Sequence, residues 1–252
     1  MSLTITRAAA CLAWLLPVAA LAGQPVDVTI FDRTDGRELP VYWHQGERHV
    51  AGEPGHEYEV RIRNRSHSRM LAVTSVDGVN VITGRTASTG QGGYVLDPHG
   101  RLAIDGWRKN MDEVAAFYFT ALPDSYAART GRPDHVGVIG LALFRERVDY
   151  RERKALDAAA PEPAAGRERE SSASASEIHR DESRLGTGHG QRLDSGAVYT
   201  DFERASETPD TVIRIFYDSR RNLVAQGVIP RPLEGYARRT PEPFPDDFVP
   251  DP

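Results

Sequence analysis

The stretch Leu71-Ala72-Val73-Thr74-Ser75-Val76-Asp77-Gly78-Val79-Asn80-Val81-Ile82 decides the fold class. Two runs rich in β-branched residues flank Asp77-Gly78, and this dipeptide accepts the positive φ angles of a two-residue type I′ turn. The stretch therefore predicts a β-hairpin in which Val76 faces Val79 across the turn.

Further strands are predicted on both sides of this hairpin. Residues 26–30 and 57–63 alternate apolar with polar side chains, a period typical of strands with one buried face. Residues 113–122 and 136–144 are almost continuously apolar, as expected of central strands that are covered on both faces. These segments predict an all-β, two-layer antiparallel sandwich over residues 23–146.

Three smaller elements are predicted next to these strands. A second hairpin is expected from residues 93–96 and 101–104, because the proline and glycine of residues 97–100 favour a turn. Residues 123–131 end in glycine and predict one short helical turn over the edge of the sandwich. Residues 147–159 are rich in Arg, Glu and Ala and predict a short exposed helix.

The chain beyond this helix has a different composition. Residues 160–184 combine prolines, a Ser/Ala run and many charges, which is typical of a disordered linker. An ordered segment follows over residues 185–229, and its apolar runs 212–217 and 223–228 predict a C-terminal β-hairpin. The proline-rich residues 230–252 predict a disordered tail.

The N-terminus has the pattern of a secretory signal peptide. Arg7 precedes an apolar run over residues 8–21, and Ala20-Leu21-Ala22 fits the rule of small residues at the cleavage site. Cleavage is therefore predicted between Ala22 and Gly23. The apolar run is shorter than the roughly 20 residues that a spanning helix needs, and no later segment is longer, so no membrane span is expected after cleavage.

Charge and cysteine content narrow the chemistry further. The chain has 31 Lys plus Arg against 36 Asp plus Glu, a net charge of -5, which argues against a nucleic-acid partner. The single cysteine, Cys11, lies inside the predicted signal peptide. The processed chain is thus expected to lack disulfides and thiolate sites, a composition that favours a bacterial periplasmic or extracellular location over animal secretion.

Sequence motifs of common enzymes do not occur in the chain. Gly-x-Ser-x-Gly, Ser-x-x-Lys, Walker A and His-Glu-x-x-His are all missing. The glycine-rich residues 186–190 resemble a phosphate loop, but Gln191 stands where the third glycine of a dinucleotide fingerprint belongs. We interpret these residues as a loop and predict no cofactor.

Four side chains suggest a carbohydrate-binding or carbohydrate-active sandwich as an alternative. Trp43 and Trp107 are the tryptophans that remain after the predicted cleavage, and an exposed one would be a ligand platform, whereas core packing is the usual role. Asp105 and Asp112 lie close to Trp107 in sequence and supply the carboxyl groups that glycoside chemistry requires. This alternative is centred on Trp107.

A histidine group suggests a second alternative, a metal-dependent hydrolase. His44, His49 and His56 are accompanied by glutamates, and imidazole and carboxylate groups suit zinc or a similar ion. Their spacing matches neither one face of a helix nor one face of a strand, so a solvated loop is the favoured interpretation. The pair Asp134-His135 is interpreted as a turn.

Several stretches carry a resemblance to a protein group. They are residues 71–81, Asp124-Ser125-Tyr126-Ala127-Ala128-Arg129-Thr130-Gly131, Val136-Gly137-Val138-Ile139-Gly140 and Leu185-Gly186-Thr187-Gly188-His189-Gly190. Together they resemble uncharacterised secreted proteins of Gram-negative bacteria, a resemblance that implies export and no known activity. We therefore expect an exported sandwich that binds a protein or an envelope component, with both alternatives open.

Overall fold

The computed structural model describes residues 25–147 and 184–231. Within these ranges the chain is an all-β sandwich of two seven-stranded sheets with two short α-helices, which confirms the predicted fold class. No helix in the described ranges is long and apolar enough to cross a membrane. Four predictions lie wholly or almost wholly outside these ranges: cleavage between Ala22 and Gly23, the helix over 147–159, the linker over 160–184 and the tail over 230–252.

The first sheet contains the two predicted strands that bury one face and expose the other to solvent. Its members are β1 (Val26–Asp32), β2 (Arg37–Glu38), β5 (Glu57–Asn64), β9 (Arg101–Ile104), β10 (Gly106–Arg108), β11 (Glu113–Ala121) and β13 (Leu185–Asp194). β1 pairs antiparallel with β5, and the alternating residues Val26, Val28 and Ile30 are buried as predicted. β11 pairs with β13 on one side and with β10 and β5 on the other, so it is central as predicted.

The second sheet contains the hairpin that the sequence predicts most directly. Its members are β3 (Val41–His44), β4 (Glu47–Gly52), β6 (Met70–Val76), β7 (Val79–Asn80), β8 (Tyr94–Leu96), β12 (Val138–Arg145) and β14 (Thr211–Ser219). Val76 faces Val79, and Asp77 and Gly78 have φ angles of 53° and 70°. β12 lies between β14 and β6, and the short helix α1 (Tyr126–Arg129) forms where one helical turn is predicted.

The second predicted hairpin is wrong, because its two strands join different sheets. β8 pairs with β6 in the second sheet, and β9 pairs with β5 in the first. The turn between them therefore crosses from one sheet to the other. Buried Asn64 fixes this crossing, since its side-chain amide donates to the carbonyl of Asp97 at 2.9 Å and to that of Ser68 at 2.8 Å. Proline and glycine mark a turn but do not determine which strands pair.

The predicted C-terminal hairpin is also wrong, because residues 223–228 do not form its second strand. Helix α2 (Arg220–Ala225) follows β14 directly. The Ser219 hydroxyl caps it by accepting from the Asn222 N–H at 3.2 Å, and Gly227 lies after its end with φ 76°. The apolar residues of this segment pack as a small cluster against the second sheet: Leu223, Val228 and Ile229 against Tyr42 and Ala51.

The glycine-rich residues 186–190 are part of strand β13, so the predicted loop is wrong as well. A Cβ atom at Gly188 would lie 2.1 Å from Cζ of Tyr118, whose ring lies across the strand. Glycine is thus required here for close packing of one strand against an aromatic ring of its neighbour.

Residues 195–210 connect β13 in the first sheet to β14 in the second. We call this connection the strap. It crosses the outer face of the second sheet, where Phe202 packs against a buried cluster of Leu71, Val73, Ala142 and Phe144. Arg204 lies 4.2 Å from the Phe144 ring centre and donates to the carbonyls of Thr89 and Gln91. Residues 185–229 therefore belong to both sheets instead of forming a separate hairpin.

A chain of buried polar groups joins the two sheets through the core. The Tyr58 hydroxyl lies 2.6 Å from Thr187 Oγ1, which lies 2.6 Å from the Tyr217 hydroxyl, and Tyr217 donates to Asp77 Oδ1 at 2.5 Å. The N–H groups of Gly137 and Thr187 also donate to the Asp77 carboxylate. Burial raises the pKa of Asp77 to about 6, and these hydrogen bonds oppose the rise.

We expect Tyr217→Phe to destabilise the fold by about 1–3 kcal/mol, because it removes one hydrogen bond from the buried Asp77 carboxylate and one from the buried Thr187 hydroxyl. The matched control is Tyr118→Phe, since the Tyr118 hydroxyl makes no hydrogen bond within the described residues. Urea unfolding of both variants measures the difference. An equal free energy of unfolding for the two variants would contradict a structural role for this chain of hydrogen bonds.

Candidate ligand groove

A groove of about 260 Å³ lies where the β3–β4 hairpin meets β14. β14 runs parallel to β4 and pairs with it only from Ile215, which lies opposite Arg48. Residues 211–214 of β14 therefore have no β4 partner, and a notch is left beside the hairpin turn. The described residues that line this notch come from both sides of it: Trp43, Gly46, Glu47, Arg48, Val212, Ile213, Arg214 and Phe216.

Trp43 is the most prominent apolar side chain of the groove. It is 63% exposed, whereas a tryptophan is usually buried in a sandwich core. Arg48 lies opposite it across the β3–β4 pair, with its guanidinium carbon 5.1 Å from the Trp43 ring centre. This cation–π contact holds the indole in place and leaves much of its surface open to solvent.

An aromatic pair lies behind this platform. The His49 ring stacks on Phe216, with 5.5 Å between ring centres. His49 Nε2 is buried without a hydrogen-bond partner within the described residues, and the nearest carboxylate oxygen, on Glu47, is 4.0 Å away. Burial lowers the pKa of His49, and the Glu47 carboxylate only partly opposes this, so the imidazole is neutral near pH 7.

Arg214 contributes a positive charge to the groove from β14. Alternation along β14 points Arg214 outward while Ile213 and Ile215 are buried. The Arg214 guanidinium makes no hydrogen bond or ion pair with any other described residue.

The pairing of Trp43 with Arg48 and of Arg48 with Ile215 places the indole on the face of the second sheet that carries Ile215, whereas Arg214 lies with Phe216 on the opposite face. The notch thus has the aromatic platform on one side of the sheet and the Arg214 guanidinium on the other.

The other predicted ligand residues lie away from this groove. Trp107 is only 3% exposed and packs edge-on against Phe117, with 4.8 Å between ring centres, so it is a core residue. Asp112 is exposed in the turn before β11, where its carbonyl accepts the N–H of Ser195 at 2.7 Å. A carbohydrate site centred on Trp107 is therefore wrong, and of these two tryptophans only Trp43 is exposed.

Asp105 forms a carboxyl pair that the sequence does not reveal. It lies beside Glu59 on the outer face of the first sheet, and burial together with this neighbouring carboxyl raises the pKa of Asp105 to about 6. Arg61 donates to Glu59 at 2.6 Å, which ties the pair into a network of ions. Residues 59 and 105 meet only because β5 pairs with β9, a long-range contact without a local signal.

The three predicted metal-ligand histidines do not converge. The rings of His44 and His49 are 6.3 Å apart in the second sheet, whereas His56 lies before β5 in the first. His56 Nδ1 is 2.8 Å from Asp32 Oδ2 and 3.9 Å from Asp35 Oδ1. In the described part of the chain, the potential ligand atoms that do lie within 4.8 Å of one another belong to Asp32, Asp35 and His56. The prediction of a metal site made of the three histidines is therefore wrong.

Comparison with protein-family models, curated proteins and solved structures finds no match to this chain. The resemblance to secreted proteins of Gram-negative bacteria therefore stays a prediction. Only the geometry of the described residues bears on function.

We expect acrylamide to quench Trp43 fluorescence strongly and Trp107 fluorescence weakly, because their exposed fractions are 63% and 3%. Trp14→Phe in the full chain leaves these two as the only tryptophans, since the chain has three. Adding Trp107→Phe then isolates Trp43, and adding Trp43→Phe isolates Trp107. Equal quenching constants for the two single-tryptophan proteins would contradict the exposed platform.

We expect the stabilisation by His56 to be lost as the pH rises. The hydrogen bond to Asp32 raises the pKa of His56, helped by the charges of Asp35 and Glu53, so the folded state binds the proton more tightly than the unfolded state does. The difference in free energy of unfolding between the wild-type protein and His56→Gln should thus be largest below about pH 6.5 and shrink above it. A difference that stays constant up to about pH 9 would show that the ion pair is unimportant.

Proposed function

We propose that this chain is an exported binding module of the bacterial envelope, and that it binds a saccharide component of the envelope in the Trp43 groove. The observation that carries this proposal is the exposed Trp43 indole, fixed by Arg48 at the mouth of the groove. Export is the part of the proposal that rests on the predicted signal peptide.

The lining of the groove suits a sugar ring. The C–H face of a pyranose packs on an indole, and its hydroxyl groups exchange hydrogen bonds with a neighbouring guanidinium group such as that of Arg48, which lies on the same face of the sheet as Trp43. The volume of about 260 Å³ is below the ~300–1,000 Å³ of pockets for drug-sized ligands, and it fits about one or two sugar rings.

The carboxyl groups favour binding over hydrolysis. Glycoside hydrolysis normally needs two carboxyl groups on either side of the scissile bond. Glu47 is the one carboxylate among the described residues that line the groove, and Asp105 and Asp112 lie elsewhere.

A protein partner is the second candidate, favoured by one specific observation. Residues 211–214 of β14 offer a strand edge without a β4 partner, and extended peptides can add to such edges. This edge is shorter than the typical strand of about 5–6 residues, so it supplies few backbone hydrogen bonds. The aromatic platform is the stronger feature of the groove, and the saccharide is therefore the better candidate.

We expect Trp43→Ala to weaken saccharide binding at least tenfold, because it removes the platform while leaving the core intact. The matched control is Tyr199→Ala, since Tyr199 is an aromatic residue that is 91% exposed on the strap, outside the groove lining. Calorimetric titration of the full chain with peptidoglycan fragments, other envelope oligosaccharides and a set of peptides provides the measurement.

Unchanged saccharide affinity in Trp43→Ala, with unfolding midpoints equal to those of the control, would contradict the proposed site. Binding of peptides alone would replace the saccharide by the second candidate.

A further inference from the structure

We infer that Asp32, Asp35 and His56 form a binding site for a divalent transition-metal ion such as Zn²⁺. The site lies beside the first sheet, where the β1–β2 turn meets the connection from β4 to β5. In the described part of the chain, the potential ligand atoms of these three residues lie within 4.8 Å of one another. The inference is independent of the groove and of the proposed saccharide function.

The distances around the imidazole fit a single ion. His56 Nδ1 is 2.8 Å from Asp32 Oδ2 and 3.9 Å from Asp35 Oδ1. Nitrogen and oxygen ligands lie about 2.0–2.2 Å from Zn²⁺, so two ligand atoms of one ion are at most about 4.3 Å apart. Both measured distances are below this limit. The Asp35 side chain is 40% exposed, so it has room to rotate toward an ion.

Each carboxylate uses one oxygen for its own positioning and turns the other toward His56. The Asp35 N–H donates to Asp32 Oδ1 at 2.9 Å, which leaves Asp32 Oδ2 beside the imidazole. Arg37 Nε donates to Asp35 Oδ2 at 3.1 Å, which leaves Asp35 Oδ1 on the imidazole side. Hydrogen bonds of this kind orient the ligands in protein metal sites.

The backbone that carries the ligands is fixed without an ion. The Phe119 N–H donates to the His56 carbonyl at 3.0 Å, and the Gly55 N–H donates to the Phe119 carbonyl at 2.7 Å. The Thr34 hydroxyl, in the β1–β2 turn, accepts the Glu57 N–H at 3.0 Å. The two ligand-bearing segments are therefore held together, so an ion does not bear the entropic cost of ordering them.

The imidazole is able to present a lone pair to the ion. Nδ1 of His56 is the ring atom that faces both carboxylates, whereas Nε2 makes no hydrogen bond or ion pair within the described residues. In a neutral histidine the proton occupies one ring nitrogen and the other is an acceptor. A proton on Nε2 therefore leaves Nδ1 as a metal ligand.

The charges around the site favour a cation and narrow its class. The negative charges of Asp32, Asp35 and Glu53 all act on His56. Arg37 is the one arginine that forms an ion pair with a member of the site within the described residues. Since imidazole suits transition metals and Ca²⁺ prefers oxygen ligands, the ligand set favours Zn²⁺ or Co²⁺ over Ca²⁺.

The test is calorimetric titration of the full chain, freed of metal by dialysis against a chelator, with Zn²⁺, Co²⁺ and Ca²⁺. We expect Zn²⁺ to bind at this site about tenfold or more tightly than Ca²⁺ and to raise the unfolding midpoint. His56→Gln and Asp35→Asn should each weaken Zn²⁺ binding by about tenfold or more, because each removes one ligand.

The variants are chosen so that folding and metal binding are separated. Asp35 is an exposed position where replacement leaves the core intact, and circular dichroism of each metal-free variant checks its fold. The matched control is His67→Gln, because His67 Nδ1 and His99 Nε2 are 2.9 Å apart and form another close histidine pair. The control should bind Zn²⁺ at the inferred site as tightly as the wild-type protein does.

Three outcomes would overturn the inference. If neither His56→Gln nor Asp35→Asn changes the Zn²⁺ affinity, the ion binds elsewhere, and a loss in His67→Gln alone would place it at the other histidine pair. If no ion binds, Asp32 and His56 form an ion pair only. If Ca²⁺ binds as tightly as Zn²⁺ and His56→Gln has no effect, the imidazole is not a ligand. None of these outcomes bears on saccharide binding in the Trp43 groove.

Discussion

The sandwich depends on the buried hydrogen-bond chain that links its sheets through the core. An ionised carboxylate only accepts hydrogen bonds, so Tyr217 must donate to Asp77, Thr187 to Tyr217 and Tyr58 to Thr187. Each hydroxyl group therefore donates its proton toward Asp77. All of these hydrogen bonds form together only when the strands that carry them have this arrangement. Its members come from β5, the β6–β7 turn, β13 and β14, so it fixes the relative position of early and late parts of the sequence. Loss of one member leaves a buried polar group without its partner, which costs more than the bond itself contributes.

This constraint also sets the geometry of the groove. Side chains alternate along a strand, so a shift of one residue would exchange the buried and exposed faces of β14. Because the Tyr217 hydroxyl is fixed in the core, Phe216 and Arg214 must point to the outer face. β14 lies between β4 and β12, and its register against Arg48 determines how much of it extends beside the β3–β4 turn. The candidate site is thus a consequence of core packing.

The success of sequence-based prediction depended on whether a feature is local. The Asp77-Gly78 hairpin and its register were predictable, because the turn type is determined by two adjacent residues. The helix that begins at Arg220 was not predicted, because a short apolar run such as residues 223–228 fits either a strand or a helix. Ser219 and Gly227 are nevertheless ordinary signals for the start and the end of a helix. The exposure of Trp43 had no local signal, since it depends on the pairing of β3 with β4 at the sheet edge and on the course of β14.

The position of the groove at a sheet edge gives its charged residues a second role. β3 is an edge strand, and an exposed edge with apolar side chains can pair with other chains. Trp43 makes this edge apolar, and the Arg48 guanidinium over its ring and the Glu47 carboxylate at the β3–β4 turn add charge to it. Charged side chains at an edge disfavour strand addition, whereas a small polar ligand can still reach the indole between them. In the proposed function, Arg48 therefore both holds the Trp43 platform and discourages edge-to-edge association, and this dual role favours a small ligand over an added peptide strand.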